Sequence, residues 1–280
     1  MIQDIAPKKM RNEHTPTPPK EDSRIMIFYH NEILCHIEEE KINYPLYREL
    51  KQERTAVFGK ELIYLFAIDD ITYYLYQISD GLTFGNYAYE KMRRIRTTAP
   101  MDELFAGMSA YHLHCWYSAN RYCGRCGKEV VLDEKERMLR CPGCGNMIFP
   151  RINPVVIVGV YHGDQIIFTK YAGSGHKNYA MIAGFVEFGE TLEETVQREV
   201  FEEVGIRIKN LQYYKSQPWG LSGSVLMGFF AEADGDLTIK RQEDELAEAF
   251  WIKREDIVLD WENISLTIDM MRVFRDKELV

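Results

Sequence analysis

Hydrophobic positions change their period several times along the chain, and the changes divide it. From Arg24 to about Ile78 two runs, RIMIFYHNEILCHI and ELIYLFAIDDITYYLYQI, are rich in Ile, Tyr and Phe, and the second turns at Asp69-Asp70. This text predicts strands of an N-terminal antiparallel β domain. Residues 1–23 before it are polar, carry proline and show no period, and are expected to form a mobile tail unless they dock as an arm. Between Tyr87 and Asn120 apolar residues recur at helical intervals, broken at Pro100, which predicts a helical linker closing a β-rich domain of residues 24–120. After Pro150, NPVVIVGVYHGDQIIFTKY predicts a strand pair around Gly163-Asp164. LMGFFAEA then predicts a strand, AFWIKREDI a strand entering a turn, and SLTIDMMRVFRDKEL an amphipathic closing helix. The predicted class is α+β.

Composition narrows this picture. A chain of 280 residues that is 46% hydrophobic can bury the cores of two domains, with room for a small third. No stretch approaches the roughly 20 apolar residues that span a bilayer, and no apolar signal core opens the chain, so a cytoplasmic protein with no membrane partner is expected. A net charge of -9 argues against a general affinity for nucleic acid, because neutralising phosphates takes clustered Lys and Arg. Any phosphate handled here is expected to arrive with cations.

Four of the six cysteines stand at a telling spacing: Cys123 and Cys126 in CGRC, Cys141 and Cys144 in CPGC, with fourteen residues between the pairs. Two such pairs suit a ribbon, residues 121–150, in which four thiolates close a tetrahedron around one structural Zn²⁺. Gly127 and Gly145 follow the pairs and permit the turned backbone whose amides point back at sulfur. A closed four-thiolate site has no open position for catalysis. A nucleic-acid-binding ribbon is the other functional reading, but the segment's basic and acidic residues nearly cancel.

Residues 184–206 read GFVEFGETLEETVQREVFEEVGI. A helix beginning near Glu190 to Leu192 places Glu199, Glu202 and Glu203 at i, i+3 and i+4, three carboxylates on one face. Such a face suits hard divalent cations, Mg²⁺ or Mn²⁺, which prefer oxygen ligands and are shared with substrate phosphates. Leu192, Val196 and Val200 lie on another stripe that can pack inward.

The same stretch resembles the box of the Nudix hydrolases. In it Gly184, Glu190, Arg198, Glu199, Val200, Glu202, Glu203, Gly205 and Ile206 match without exception. The resemblance implies a Nudix fold, a mixed β-sheet between helices, for residues 151–280. It also implies hydrolysis of a nucleoside diphosphate linked to another moiety. On that likeness Glu199, Glu202 and Glu203 are metal ligands, Arg198 pairs with Glu190, and Glu203 also orients or deprotonates the attacking water, with Glu245 as the alternative base.

Within the superfamily the chain is similar to the NADH pyrophosphatase branch, in which a zinc ribbon precedes the Nudix domain and a Ser-Gln-Pro-Trp signature follows the box. Here the signature is residues 216–219. It implies substrate contacts from Gln217, Pro218, Trp219 and Ser224. The branch continues Pro-Phe-Pro-x-Ser, whereas this chain has Gly220-Leu221-Ser222-Gly223-Ser224, which predicts a more pliable loop. By the same likeness the Ala183 carbonyl binds the catalytic metal, and Phe185 and Phe149 stack on substrate rings. Glu245, with Glu248 as its competitor, supplies a further metal ligand. Arg94 and Glu136 stand where substrate contacts across a homodimer are implied, with plain surface charge as the alternative. The implied reaction is metal-dependent cleavage of NAD(H) to nicotinamide mononucleotide and AMP, with NAD-capped RNA ends as a related substrate. Alternatives are a broader diphosphatase acting on ADP-ribose or diadenosine polyphosphates, and a non-catalytic Nudix-fold sensor.

Overall fold

The computed structural model describes residues 1–53, 62–78, 80–83, 85–172, 179–259 and 264–278. They fall into two units, one comprising Ile2–Arg151 with Trp219–Gly223, the other Met1, Ile152–Pro218 and Ser224–Val280.

In the first unit the chain runs β1 (Met10–Arg11), β2 (Arg24–Tyr29), β3 (Glu32–Glu38), β4 (Lys41–Asn43), α1 (Tyr47–Glu53), β5 (Leu62–Ile68), β6 (Ile71–Tyr76), β7 (Ala88–Lys91), α2 (Met92–Ile95) and α3 (Met101–Ala119). Two hairpins form its centre. β2 and β3 turn at His30 and Asn31, with φ of 48° and 63°, and β5 and β6 turn at Asp69, with φ of 50°, left-handed values that suit the twist of paired strands. The sheet order is β1-β5-β6-β2-β3-β4, with β7 on β3. It departs from the expected antiparallel domain in one place: β2 and β6 run parallel, Arg24 facing Tyr73 and Ile27 facing Tyr76. Local alternation identifies each strand, but the direction of this pair is set by how the second hairpin returns to the first.

Ile25, Ile27, Leu34, Leu50, Tyr64, Tyr74 and Tyr76 form the core on this sheet. Pro100 occupies the N-cap of α3, where a residue without an N–H costs no helical bond. Glu103 of α3 is buried, which pushes its carboxyl up, and it accepts from Arg24 Nε at 3.2 Å and Tyr73 Oη at 3.0 Å. A buried carboxylate needs such partners.

The opening residues, expected as a mobile tail, are docked. Ile2 is 1% exposed, Met10 and Arg11 pair with Ile68 and Ala67, and Lys8 Nζ lies 2.6 Å from Asp102. Arg137 Nη2 donates to the Asn12 carbonyl at 3.0 Å. The segment lacks an apolar period because its anchors are backbone pairing on a sheet edge and charge, neither of which leaves one.

The ribbon in this unit holds β8 (Val131–Leu132), β9 (Leu139–Arg140) and β10 (Met147–Ile148), three two-residue strands in the order β10-β9-β8. Trp219–Gly223 packs here as well. A Cβ at Gly220 would land on the Met108 carbonyl of α3, and Gly223, with φ of 61°, sits beside the His112 ring. This loop is fitted rather than pliable: glycine stands where proline was expected because the chain passes too close to α3 for any side chain.

The second unit contains β11 (Asn153–His162), β12 (Gln165–Tyr171), β13 (Ile182–Phe185), α4 (Leu192–Val204), β14 (Arg207–Trp219), β15 (Ser224–Asp234), β16 (Leu246–Lys253), a short 3₁₀ turn (Arg254–Asp256) and α5 (Leu266–Arg275). The sheet order is β14-β15-β11-β12-β16; β13 pairs antiparallel with β11, and β15 runs parallel to it. Alternate residues of β11 feed two cores. Val156, Val158 and Val160 meet Val196, Val200 and Val204 of α4, while Ile157 meets Leu266, Met270 and Phe274 of α5. A strand covered on both faces reads as continuous Val and Ile, as VVIVGV does. Each valine of α4, fully buried, contributes roughly 1.5–3 kcal/mol. That burial offsets the charge repulsion along the helix. β14 carries no apolar run because it lies at the sheet edge, and its text, RIKNLQYYKSQPW, does not announce a strand.

Replacing Gly220 with alanine should destabilise the protein by about 1–3 kcal/mol, because the obstacle is backbone that cannot step aside as a side chain can. Chemical denaturation measures it. An unchanged stability would show that the loop is not held against α3.

Candidate active site and metal centres

The acidic helix is organised by Arg198. Its Nε and Nη2 donate to Glu190 at 2.6 and 2.9 Å, Nη1 donates to Glu199 at 2.8 Å and Glu202 at 3.0 Å, and Nη2 also donates to the Phe185 carbonyl at 3.0 Å. All five N–H groups of the guanidinium are therefore used. Glu190 further accepts from Thr195 Oγ1 at 2.9 Å and from the Glu187 N–H at 3.1 Å. With Arg198 as the main cause, its carboxyl is held down at about 2. Thr191 and Glu194 close a capping box at the start of α4.

Glu203 faces the other way. It is 1% exposed, its Oε2 is buried without a partner, and burial followed by the charge of Glu199 pushes its carboxyl up to about 8. The Ala183 N–H donates to the same carboxylate. Glu199 is 9% exposed and lies so close to β13 that a Cβ at Gly184 would strike its carboxyl group. Gly184 is thus required by close approach. Glu245 acts on Glu199 and Glu203 as a nearby negative charge, whereas Glu248 pairs with Lys170 Nζ at 3.0 Å on the outer side. Among the described residues no three of these carboxylates bring their oxygens within 4.8 Å of one another. Arg198 lies between Glu199 and Glu202, and the charges of Glu199 and Glu245 act on Glu203. Hard oxygen donors with a buried, unpartnered Glu203 oxygen fit a divalent cation such as Mg²⁺ or Mn²⁺.

The four cysteines behave differently. Their sulfurs all lie within 4.8 Å of one another, with Cys123 to Cys144 at 3.7 Å and Cys126 to Cys141 at 3.4 Å. A tetrahedral Zn²⁺ with bonds of about 2.3 Å holds its sulfurs about 3.8 Å apart, so the quartet has the right size. Each pair sits in the same turn: Gly127 N–H donates to Cys123 O at 2.8 Å, and Gly145 N–H to Cys141 O at 3.0 Å. The Arg125 amide, ahead of other causes, lowers Cys123 to about 6, towards the thiolate a metal takes.

The signature residues divide. Gln217 is fully buried; its Nε2 donates to Ile264 O at 2.9 Å and its Oε1 accepts from Leu266 N–H at 2.7 Å. Its amide is spent anchoring the start of α5, so it is a structural clamp rather than the expected substrate contact. Ser224 is 2% exposed at the start of β15, and Pro218 is exposed. Trp219 is half-buried with the Arg96 guanidinium 5.3 Å from its ring centroid. Arg94, expected to touch substrate, is held by Glu40 at 2.8 Å. Arg96 is the arginine on the signature tryptophan, and no carboxylate of the described residues pairs with it. In MRRIR, Arg94 and Arg96 look alike; their places, inside α2 and at its C-cap, separate them. Phe185 and Phe149 expose 55% and 54% of their surface, and Glu136 is exposed beside Asp133 in the ribbon.

Residues 150–272 match the NUDIX domain, and residues 118–149 match the NADH pyrophosphatase zinc ribbon domain. The chain thus carries a Nudix domain with an NADH pyrophosphatase zinc ribbon directly ahead of it. Among its relatives is the NAD-capped RNA hydrolase NudC of Pseudomonas aeruginosa (strain LESB58), 34% identical over 179 residues, 64% of this chain and 64% of that protein. The NudC of Chromobacterium violaceum is 38% identical over 152 residues, 54% of this chain and 57% of that protein. The chain thus matches less than two thirds of the length of these relatives. A solved NUDIX hydrolase from Nitrosomonas europaea overlaps 56% of this chain and 92% of its own, with 20% identity and a TM-score of 0.46, too distant a likeness to bear on the site.

Gly184→Ala should displace the Glu199 carboxylate and lower cation-dependent activity roughly 10–100-fold, as losses of support around metal ligands do, while circular dichroism stays native. Activity equal to wild type would mean that the close approach is unimportant. For the ribbon, elemental analysis should find one zinc per chain that survives a mild EDTA treatment sufficient to strip Mg²⁺ or Mn²⁺, since thiolates hold zinc far more tightly than carboxylates hold hard cations. Substoichiometric zinc in freshly purified protein would overturn the assignment.

Proposed function

We propose that this protein hydrolyses the diphosphate bond of NAD(H), giving a nicotinamide mononucleotide and AMP, and that it acts in the same way on NAD-capped RNA ends. The observation that carries this reading is the buried Glu203 carboxylate with an unpartnered oxygen, facing Glu199 and Glu245 inside an intact Nudix box. The zinc ribbon and the NudC relatives point to the dinucleotide class of substrate.

Glu199, Glu202, Glu203, Glu245 and the Ala183 carbonyl would hold Mg²⁺ or Mn²⁺. When bound, the cation would neutralise the diphosphate oxygens and lower the pKa of a water. Glu203, ionised once a cation is bound beside it, would take a proton from the attacking water. The new P–O bond forms as the bridging P–O bond breaks, and the second phosphate leaves as the other mononucleotide. Arg198 does not touch substrate; it keeps Glu190 and the β13–α4 loop in place. Phe185, next to the box on β13, supplies a ring on which nicotinamide or adenine can stack; Phe149 and Trp219 are rings of the first unit with the same capacity.

The same reading takes residues 24–120 as the N-terminal domain, 121–150 as the ribbon and 151–280 as the hydrolase domain. The protein is further proposed to act as a homodimer. Val131 and Met147, both opposite Arg140 in the ribbon sheet, expose 51% and 52% of their surface, apolar area that a second copy could cover. A cytoplasmic site of action follows from the need to keep four zinc-binding thiolates reduced. Among the described residues no helix is long and apolar enough to cross a membrane.

Purified protein with Mn²⁺ should release AMP from NADH. Glu203→Gln, which keeps the shape and removes the charge, should lower turnover roughly 100-fold or more while leaving zinc content and fold unchanged. No AMP from wild type with Mg²⁺ or Mn²⁺ would overturn the proposal. A marked preference for ADP-ribose would move the protein to a broader diphosphatase role.

A further inference from the structure

Tyr171 is the last residue of β12, and the register of β12 against β16 shifts there: Lys170 faces Glu248, but Tyr171 faces Leu246. A bulge of this kind re-aims a side chain and is common beside active sites. It is held immediately afterwards, where the Ala172 N–H donates to the Glu245 carbonyl at 2.8 Å. The ring of Tyr171 packs against the core that includes Val196, Val200 and Val204 of α4. Its hydroxyl lies 3.4 Å from the Ala183 carbonyl. The N–H of the same residue, Ala183, donates to Glu203. Residue 183 is therefore tied on one side to a cage carboxylate and on the other to Tyr171, and the charges of Glu203, Glu199 and Glu245 all bear on the phenol. A neutral donor at such a point can orient a carbonyl without adding charge.

We propose that Tyr171 is a positioning residue for the cation cage: its hydroxyl orients the Ala183 carbonyl and thereby sets the affinity of the cage for Mg²⁺ or Mn²⁺. The inference rests on the reading of these carboxylates as a cation site. It assigns Tyr171 a role separate from the bulk of its ring, because outer hydrogen bonds that orient ligands are worth roughly 10–100-fold in metal affinity.

The test is Mn²⁺ binding without substrate, followed by the electron paramagnetic resonance signal of free Mn²⁺ over zinc-loaded protein. Tyr171→Phe keeps the ring and removes the donor, and should weaken Mn²⁺ binding about 10-fold, with zinc content and the Tm of the cation-free protein unchanged. Tyr171→Gln, which returns a donor without the ring, should bind Mn²⁺ better than Tyr171→Phe. Wild-type affinity in Tyr171→Phe would overturn the inference, as would a fall in cation-free Tm large enough to make the residue merely structural. Binding by wild type that Glu203→Gln removes supports the cage itself. A wild type that binds no Mn²⁺ would sink the cage reading, and this inference with it, a result distinct from equal binding by wild type and Tyr171→Phe.

Discussion

The Arg198 guanidinium is the interaction on which the site depends. The chain from Gly184 to Ile206 carries seven glutamates, and like charges one helical turn apart repel. Arg198 answers this with one planar group whose five N–H donors are all engaged, by Glu190, Glu199, Glu202 and the Phe185 carbonyl. Lysine could not do so, since it offers a point charge with three donors and no fork. The clamp joins β13, the loop and α4 into one piece. It also leaves Glu203 as the carboxylate it does not reach, buried with one oxygen unpartnered.

The cysteines and the glutamates are supported in two different ways. The ribbon's strands are two residues each and cannot form a core, so its cysteines must be held by their own turns and by the metal they close on. The cage glutamates sit on a helix whose opposite stripe, Val196, Val200 and Val204, is completely buried against the sheet. Carboxylates on such a rigid base are spaced more widely than the sulfurs, a spacing that suits a hard cation, which completes its shell with waters. Four thiolates on one side and carboxylates on the other, the two sets differ in softness and share no residue.

Much of this was legible in the sequence because its signals are local. The cysteine spacing, the i, i+3, i+4 glutamates, the turns at Asp69 and Gly163 and the break at Pro100 each lie within one turn or hairpin, where a few residues decide the geometry. The misreadings all involve partners distant along the chain. Gln217 looked like a ligand contact in SQPW until Ile264 and Leu266 took both ends of its amide. Arg94 was named as a substrate contact and Arg96 was not, because nothing local shows that Glu40 holds the first and Trp219 lies under the second. The Gly220 loop looked pliable because the Met108 carbonyl it meets is over a hundred residues away.

The sequence by itself determined the α+β class, the zinc ribbon, the charged face of α4 and the chemistry those side chains permit. Residue type and short spacing dictate these, whatever surrounds them. Tertiary structure alone decided that β2 and β6 run parallel, that the opening residues dock on β5, that Glu199 requires Gly184 beside it, and that Tyr171 is turned towards Ala183 by a bulge. Those outcomes depend on which surfaces meet once hydrophobic faces are buried. Burial is non-directional and acts between segments far apart in sequence, so no local pattern records it.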